Sequence, residues 1–228
     1  MNSNVRINRF VANATGLSRR AADKLIEAGQ VKVNGKPAET GTQVSADDTV
    51  LFGWQKLKLP EKSLTILFNK PAGYVCSRNG QGSKTIYDLL PPELHNIKPV
   101  GRLDKDSSGL LLMTDDGELA HKLTHPSFQK EKVYEVELDK PLAPEDKIKI
   151  EQGVRLEDGP SRLSLQGLGQ NWQVKMHEGR NRQIRRTLAA LGYTITKLHR
   201  THFGGYVLHD LRPGSYKTVQ GRPHFRYT

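Results

Sequence analysis

Asp104 follows Arg102 by two positions in a short polar loop, and four apolar residues, Leu110 to Met113, come directly after it. The apolar run reads as a buried strand entering a core, so a rigid element anchors the carboxylate. An acid held this way sits where catalytic groups are commonly placed. On residue chemistry alone, capping a turn or pairing with Arg102 is the commoner role of such an acid. Tyr134 occupies the apolar side of the alternating segment Lys132 to Leu138, where core packing with a satisfied hydroxyl is the commoner role of a lone tyrosine. His121 and His125 stand four apart, a spacing that suits a metal pair on one helix face. Pro126 follows at once and no third ligand lies at useful spacing, so no metal is expected. No Gly-x-Ser-x-Gly elbow supports a hydrolase triad around Ser107 and Ser108.

The elements needed to position these groups are legible in the pattern. Leu64 to Phe68 opens a large domain as a strand, and Asn69 to Gly73 turns the chain. Thr85 to Leu90 reads as a short helix closed by Pro91 and Pro92. A helix from about Glu118 to Leu123 precedes the strand Lys132 to Leu138. Pro141 to Gly153 reads as a capped helix and its exit, with Pro144 near the first helical position. Strands are expected at about Ser161 to Gln166 and Trp172 to Met176. The helix Asn181 to Leu191 should bury Ile184, Leu188 and Leu191 and end at Gly192, before a strand from Tyr193 to Leu198. The order is mixed, without regular βαβ alternation, which favours an α+β domain on a largely antiparallel sheet over a doubly wound one.

Before this lies a smaller module. Val5, Ile7, Phe10 and Val11 have near-helical spacing, Gly16 ends that segment, and Ser18 can cap a second helix carrying Ala21, Ala22, Leu25 and Ile26. Val31 to Lys36 alternates around an Asn-Gly turn, a hairpin signal. From Gly53 to Ser63 the pattern breaks into Trp54, lysines, Pro60 and Glu61, which reads as an interdomain linker. The expected division is residues 1 to 58, a linker at 59 to 63, and a domain from 64 to 228.

The chain of 228 residues has 35 Lys and Arg against 24 Asp and Glu, a formal charge of +11. Such a field draws polyanions. From Lys175 onward eleven Lys or Arg face only Glu178 and Asp210. These cations are spread over helix, strand and loop patterns, which disfavours a membrane surface and favours nucleic acid. No run approaches a membrane span, and the N-terminus lacks a basic start followed by an apolar stretch, so an untargeted soluble protein is expected. The single cysteine, Cys76, excludes an internal disulfide and a cysteine metal cluster, suits a reducing cytoplasm, and reads as a small buried side chain.

Gly101-Arg102-Leu103-Asp104, followed by Ser107 to Leu112 and Thr114-Asp115-Asp116-Gly117, resembles the signature loop of RNA pseudouridine synthases, most closely the RsuA and RluB group. Lys132-Val133-Tyr134 and Glu178 to Arg186 are further matches in family order. Leu17 to Ala22 and the Val31 to Gly35 hairpin resemble the S-four-type RNA-binding domain. Nearly the whole chain is covered.

The resemblance implies an α+β enzyme, a small S-four-like domain followed by a catalytic domain, that isomerises uridine in ribosomal RNA. It implies Asp104 as the catalytic residue and Tyr134 as the ring that stacks on the flipped uracil. Arg185 would pair with Asp104 and keep it ionised, and Leu198 would line the base pocket. Arg102 would fill the gap left by the extruded base or brace the loop. Phosphate contact would fall to Arg180, Arg182 and Arg186 and, in the small domain, to Arg6, Arg9, Arg19, Arg20, Lys24 and Lys32. The reaction exchanges nothing with solvent but a proton, so no cofactor is expected. A cytoplasmic monomer acting on ribosomal RNA follows, with no membrane partner. Two competitors are a non-catalytic RNA-binding or ribosome-assembly factor on the same scaffold and, less favoured, a carboxylate-dependent hydrolase of nucleic acid.

Overall fold

The computed structural model describes residues 4–58 and 63–219, and the chain divides into two compact units between Ser63 and Leu64.

In the first unit β1 (Val5–Arg6) leads into α1 (Ile7–Thr15), which Gly16 ends in the left-handed conformation at φ 74°. α2 (Arg19–Glu27) starts where the Ser18 side chain accepts the Ala21 N–H at 3.1 Å, satisfying a donor the helix leaves open. The strands β2 (Val31–Val33), β3 (Lys36–Pro37), β4 (Gln43–Val44), β5 (Val50–Phe52) and β6 (Gln55–Lys56) follow. They form a sheet in the order β3-β2-β5-β6, with β4 paired to β1. Ile7, Phe10, Val11, Ala22, Ile26, Val31, Val44 and Val50 form the core. The segment from Gly53 departs from the linker expectation. Gly53, at φ 58°, turns β5 into β6, Trp54 is exposed at the hairpin tip, and Leu57 is buried in this core. Residues 59–62 of the expected linker lie outside the described residues.

The second unit is built on a nine-stranded sheet. β7 (Thr65–Lys70), β8 (Lys98–Val100) and β9 (Ser108–Thr114) precede α3 (Gly117–Thr124), and β10 (Lys132–Leu138) precedes α4 (Pro144–Gln152). A hairpin of β11 (Val154–Leu156) and β12 (Gly159–Ser161) leads to β13 (Ser164–Leu168) and β14 (Asn171–Met176). α5 (Gln183–Ala189), β15 (Ile195–Phe203), β16 (Tyr206–Val207) and β17 (Tyr216–Thr218) complete the unit. The sheet runs β13-β14-β10-β15-β9-β7-β17, with β8 on β9 and β16 on β15. β9 and β15 pair in parallel and the other pairings are antiparallel.

The unbroken apolar run in β9 follows from burial on both faces of the sheet. Leu111 and Met113 point to one core with Ile66, Phe68, Val136, Leu138 and Leu188. Leu110 and Leu112 point to the other, with Leu119, Leu123 and Phe203. A seven-residue strand fixed on both faces is a rigid mount for the loop that enters it.

Candidate active site

Asp104 lies in the loop between β8 and β9, and the chain holds the loop's backbone rather than its carboxylate. Lys70, at the end of β7, is fully buried. Its Nζ donates to the carbonyls of Pro71 at 3.1 Å, Asp104 at 3.0 Å and Ser107 at 2.7 Å, with the Lys105 carbonyl at 3.5 Å. Burial pulls the Lys70 ammonium below its ordinary pKa, and the charges of Cys76, Asp104 and Asp106 act the other way. The Cys76 thiol donates to the Leu103 carbonyl and accepts from its N–H, both at 3.4 Å. Cys76 is half-buried rather than buried, and desolvation raises its pKa. Gly73 N–H donates to the Lys105 carbonyl at 2.7 Å. No hydrogen bond reaches the Asp104 carboxylate among the described residues, and its side chain is 31% exposed.

The arginine expected on Asp104 is a different one. Arg185 Nη2 donates to the Asp106 carbonyl at 3.0 Å and to Ser107 Oγ at 3.3 Å, while Nη1 donates to the Ile195 carbonyl at 3.3 Å. Its Nε lies 3.3 Å from Asp106 Oδ2, near enough for an ion pair but not aligned as a hydrogen bond. Arg185 therefore ties the loop to α5 and β15 and does not pair with Asp104. Arg182 does approach it, with Nη1 3.6 Å from Asp104 Oδ2. Arg182 also forks onto Asp106 at 3.0 and 3.1 Å. Those bonds hold the Asp106 carboxyl below its ordinary pKa. The reason for the exchange is backbone geometry. Arg182 caps α5 in the left-handed region at φ 46°, which swings its side chain to the loop at a cost of about 1 kcal/mol; the bidentate pair offsets it.

The other two arginines expected on phosphate are bound internally. Arg186 forks onto Asp158, in the β11–β12 turn, at 3.0 and 2.7 Å. Arg180 bonds Asp158 Oδ1 at 2.9 Å and the carbonyls of Asp158, Gly159 and Pro160. Beneath them buried Gln183 bonds Ser161 Oγ at 3.0 Å and also Glu178. The start of α5 is thus fastened to the hairpin on one side and to the Asp104 loop on the other.

Asp104 opens on a cavity of about 750 Å³. Arg102, Tyr134, Arg182, Arg185 and Leu198 line it as well, so the expected substrate groups converge on one space. Tyr134, on β10, is 8% exposed and stands opposite Arg200 of β15, while Leu198 stands opposite Val136. Gly109 sits where β9 meets β15. A Cβ there would come within 2.3 Å of the Arg200 carbonyl oxygen, so only glycine permits the strands to close. One step away Ser108 Oγ bonds His199 Nδ1 at 2.9 Å. Lys132 Nζ donates to the carbonyls of His177 at 3.0 Å and of Lys130 and Glu178 at 3.3 Å. Burial, helped by the Arg200 charge, pushes the Lys132 ammonium down to about 8.

His121, in the last turn of α3, and His125, just past its end, have ring centroids 4.8 Å apart, and both lie against Phe128. Among the described residues no group of three or more His, Cys, Asp or Glu is placed to hold a metal ion. Nor is any helix among them long and apolar enough to cross a membrane.

In the first unit Arg6, Arg19, Arg20, Lys24 and Lys32 are exposed and Arg9 is half-buried. The sequence reading missed Lys70, Asp106 and Asp158 as site-building residues. For Lys70 a signal existed, since it continues the inward parity of Ile66 and Phe68 along β7.

The family described as RNA pseudouridylate synthase matches residues 64–190, and the S4 domain matches residues 5–50. The ribosomal large subunit pseudouridine synthase B of Bacillus subtilis is 36% identical, over 96% of this chain and 93% of that one. The ribosomal small subunit pseudouridine synthase A of Haemophilus influenzae is 34% identical, over 94% and 96%. A crystal structure of a pseudouridylate synthase superposes with a TM-score of 0.68 at 34% identity, covering 95% of this chain and 96% of that one.

Proposed function

Since the chain belongs to the RNA pseudouridine synthases, in the ribosomal RNA branch that carries an S4 domain, we propose that it converts a uridine of ribosomal RNA to pseudouridine with Asp104 as its essential group. The observation that carries the assignment is a carboxylate without hydrogen bonds, on a loop clamped by buried Lys70, facing the same cavity as Tyr134 and Leu198. The reaction breaks the bond between ribose C1′ and uracil N1, turns the base and joins C5 to C1′, with loss of the C5 proton. Asp104 adds to C1′, adds to the base or takes the 2′ proton, and each role needs an ionised oxygen held at the nucleotide. The Arg182 guanidinium stands 3.6 Å from that carboxylate. Tyr134 stacks on the extruded base, Leu198 closes the pocket, and Arg102, exposed at the mouth, either fills the gap in the RNA or braces the loop. The first unit supplies phosphate contacts through Arg6, Arg9, Arg19, Arg20, Lys24 and Lys32. The protein works as a monomer in the cytoplasm and needs no cofactor.

The test is Asp104→Asn. Conversion of a ribosomal RNA fragment by the purified variant should fall at least ~100-fold, the lower range for a positioned general base. RNA affinity should hold, because removing an acid from a basic surface removes repulsion. A folded variant that converts at the parent rate rejects Asp104 and leaves the scaffold as an RNA-binding factor.

A further inference from the structure

Arg200 lines the cavity and takes no part in the contacts that hold the Asp104 loop or the start of α5. Its side chain is 2% exposed and its Nε donates to the Leu110 carbonyl at 2.8 Å. Its Cζ rests 4.7 Å from the centroid of the Phe203 ring. Nη2 is buried without any acceptor, and Arg200 makes no ion pair among the described residues. Lys132, on the strand across from it, adds like charge. A buried guanidinium without an anion is costly to hold, and such groups are ordinarily paired. Its counterpart is therefore expected to arrive with the substrate.

The strand register says which part of the substrate. Arg200 is directly opposite Tyr134, so the two side chains are neighbours on the wall where the base stacks, and Leu198 lines the same cavity. We infer that Arg200 is a base-recognition residue, donating from its guanidinium to a carbonyl oxygen of the extruded uracil and stabilising that oxygen as the glycosidic bond breaks. When C1′–N1 cleaves, its electron pair stays on N1 and conjugates onto the carbonyl oxygens, leaving the sugar electron-deficient at C1′. When C5 attacks C1′, the pair forms the new bond, and the ring becomes pseudouridine as C5 loses its proton and N1 takes one up. A fixed cation at the carbonyl acts most strongly on the intermediate, which is where binding lowers a barrier.

The inference rests on uridine occupying this cavity, and the experiment separates the two. Single-turnover conversion is measured with a ribosomal RNA fragment that the parent protein modifies, carrying uridine, 2-thiouridine or 4-thiouridine at the target. Sulfur is a weak acceptor, so one of the two thio-substrates should react at least ~10-fold more slowly than uridine, the low end for a bond to a charged donor. Arg200→Met should be slow on uridine, and its penalty on that thio-substrate should shrink to within ~2-fold, while Arg200→Lys recovers part of the rate. A merely structural arginine would lower all three rates together and keep their ratios. The inference is overturned if the parent handles both thio-substrates like uridine, or if Arg200→Met keeps the full thio penalty. It is also overturned if the variant loses only affinity, with a salt slope lower by about one unit, since that places a phosphate on Arg200. The thio penalty of the parent is read without any variant, so a misfolded Arg200→Met leaves the test standing. Unchanged conversion by Asp104→Asn defeats the Asp104 assignment without touching this ratio.

Discussion

The two units use the same residue types for opposite purposes. Around the cavity five cations are consumed within the molecule: Lys70 on backbone carbonyls, Arg182 and Arg185 on Asp106, Arg180 and Arg186 on Asp158. In the first unit Arg6, Arg19, Arg20, Lys24 and Lys32 are exposed and make no ion pair among the described residues. A basic sequence thus divides into charge that builds a site and charge left over to meet a polyanion. Burial and local acids decide the division, and net charge does not.

The comparison breaks first, and hardest, at Lys70. Lys70→Met removes the donor beneath the Asp104 loop and leaves its carbonyls buried without partners, at about 3 kcal/mol of stability. Conversion should drop at least ~10-fold with little change in RNA affinity, as read by a melting curve, single-turnover kinetics and filter binding. A variant with parental stability and rate would mean the clamp is unimportant.

The complementary change is Arg19→Ala with Arg20→Ala. Affinity should weaken and the slope of log affinity against log salt should fall by about two units, one per phosphate contact. Conversion of RNA already bound should stay within ~2-fold. Arg186→Ala should leave the salt slope unchanged, and an equal drop in both variants would erase the distinction between the units.

The smallest effect concerns Asp106, whose side chain is 48% exposed. Its pKa is depressed in the folded protein, chiefly by the Arg182 bonds. The folded state therefore binds fewer protons than the unfolded one, and the gain is full above the unfolded value, near 3.8, and lost as pH falls through the lower folded value. With solvent screening the gain is about 1 kcal/mol or less. The stability difference between the parent and Asp106→Asn, followed by chemical denaturation from pH 6 to 3, should shrink toward acid. A constant difference would show that the Arg182 pair contributes nothing.

How much of this was legible depended on whether a cause was local. The strand from Lys132 to Leu138, the Ser18 cap and the Asn34-Gly35 turn follow from neighbours in sequence, and the structure has them at the expected residues. Asp104 stood out because its loop and its buried strand are contiguous. The partner of Asp104 did not, because a left-handed Arg182 and an acid at Asp106 redirect two guanidiniums, and sequence spacing carries neither. Gly53 to Leu57 read as a linker because a hairpin tip and a linker share a polar composition; only the burial of Leu57 distinguishes them.

The parallel pairing of β9 with β15 carries a consequence for the chain's history. It joins His199 to Ser108 and Arg200 to Gly109, so the strand that mounts the Asp104 loop meets the strand that walls the base pocket only across a long stretch of chain. Loop closure over that distance is entropically slow, and parallel strands cannot shorten it with a hairpin. During synthesis the acid, its lysine clamp and the first unit can all be in place while half of the pocket has yet to be made. An emerging chain can thus hold RNA well before it is able to alter it.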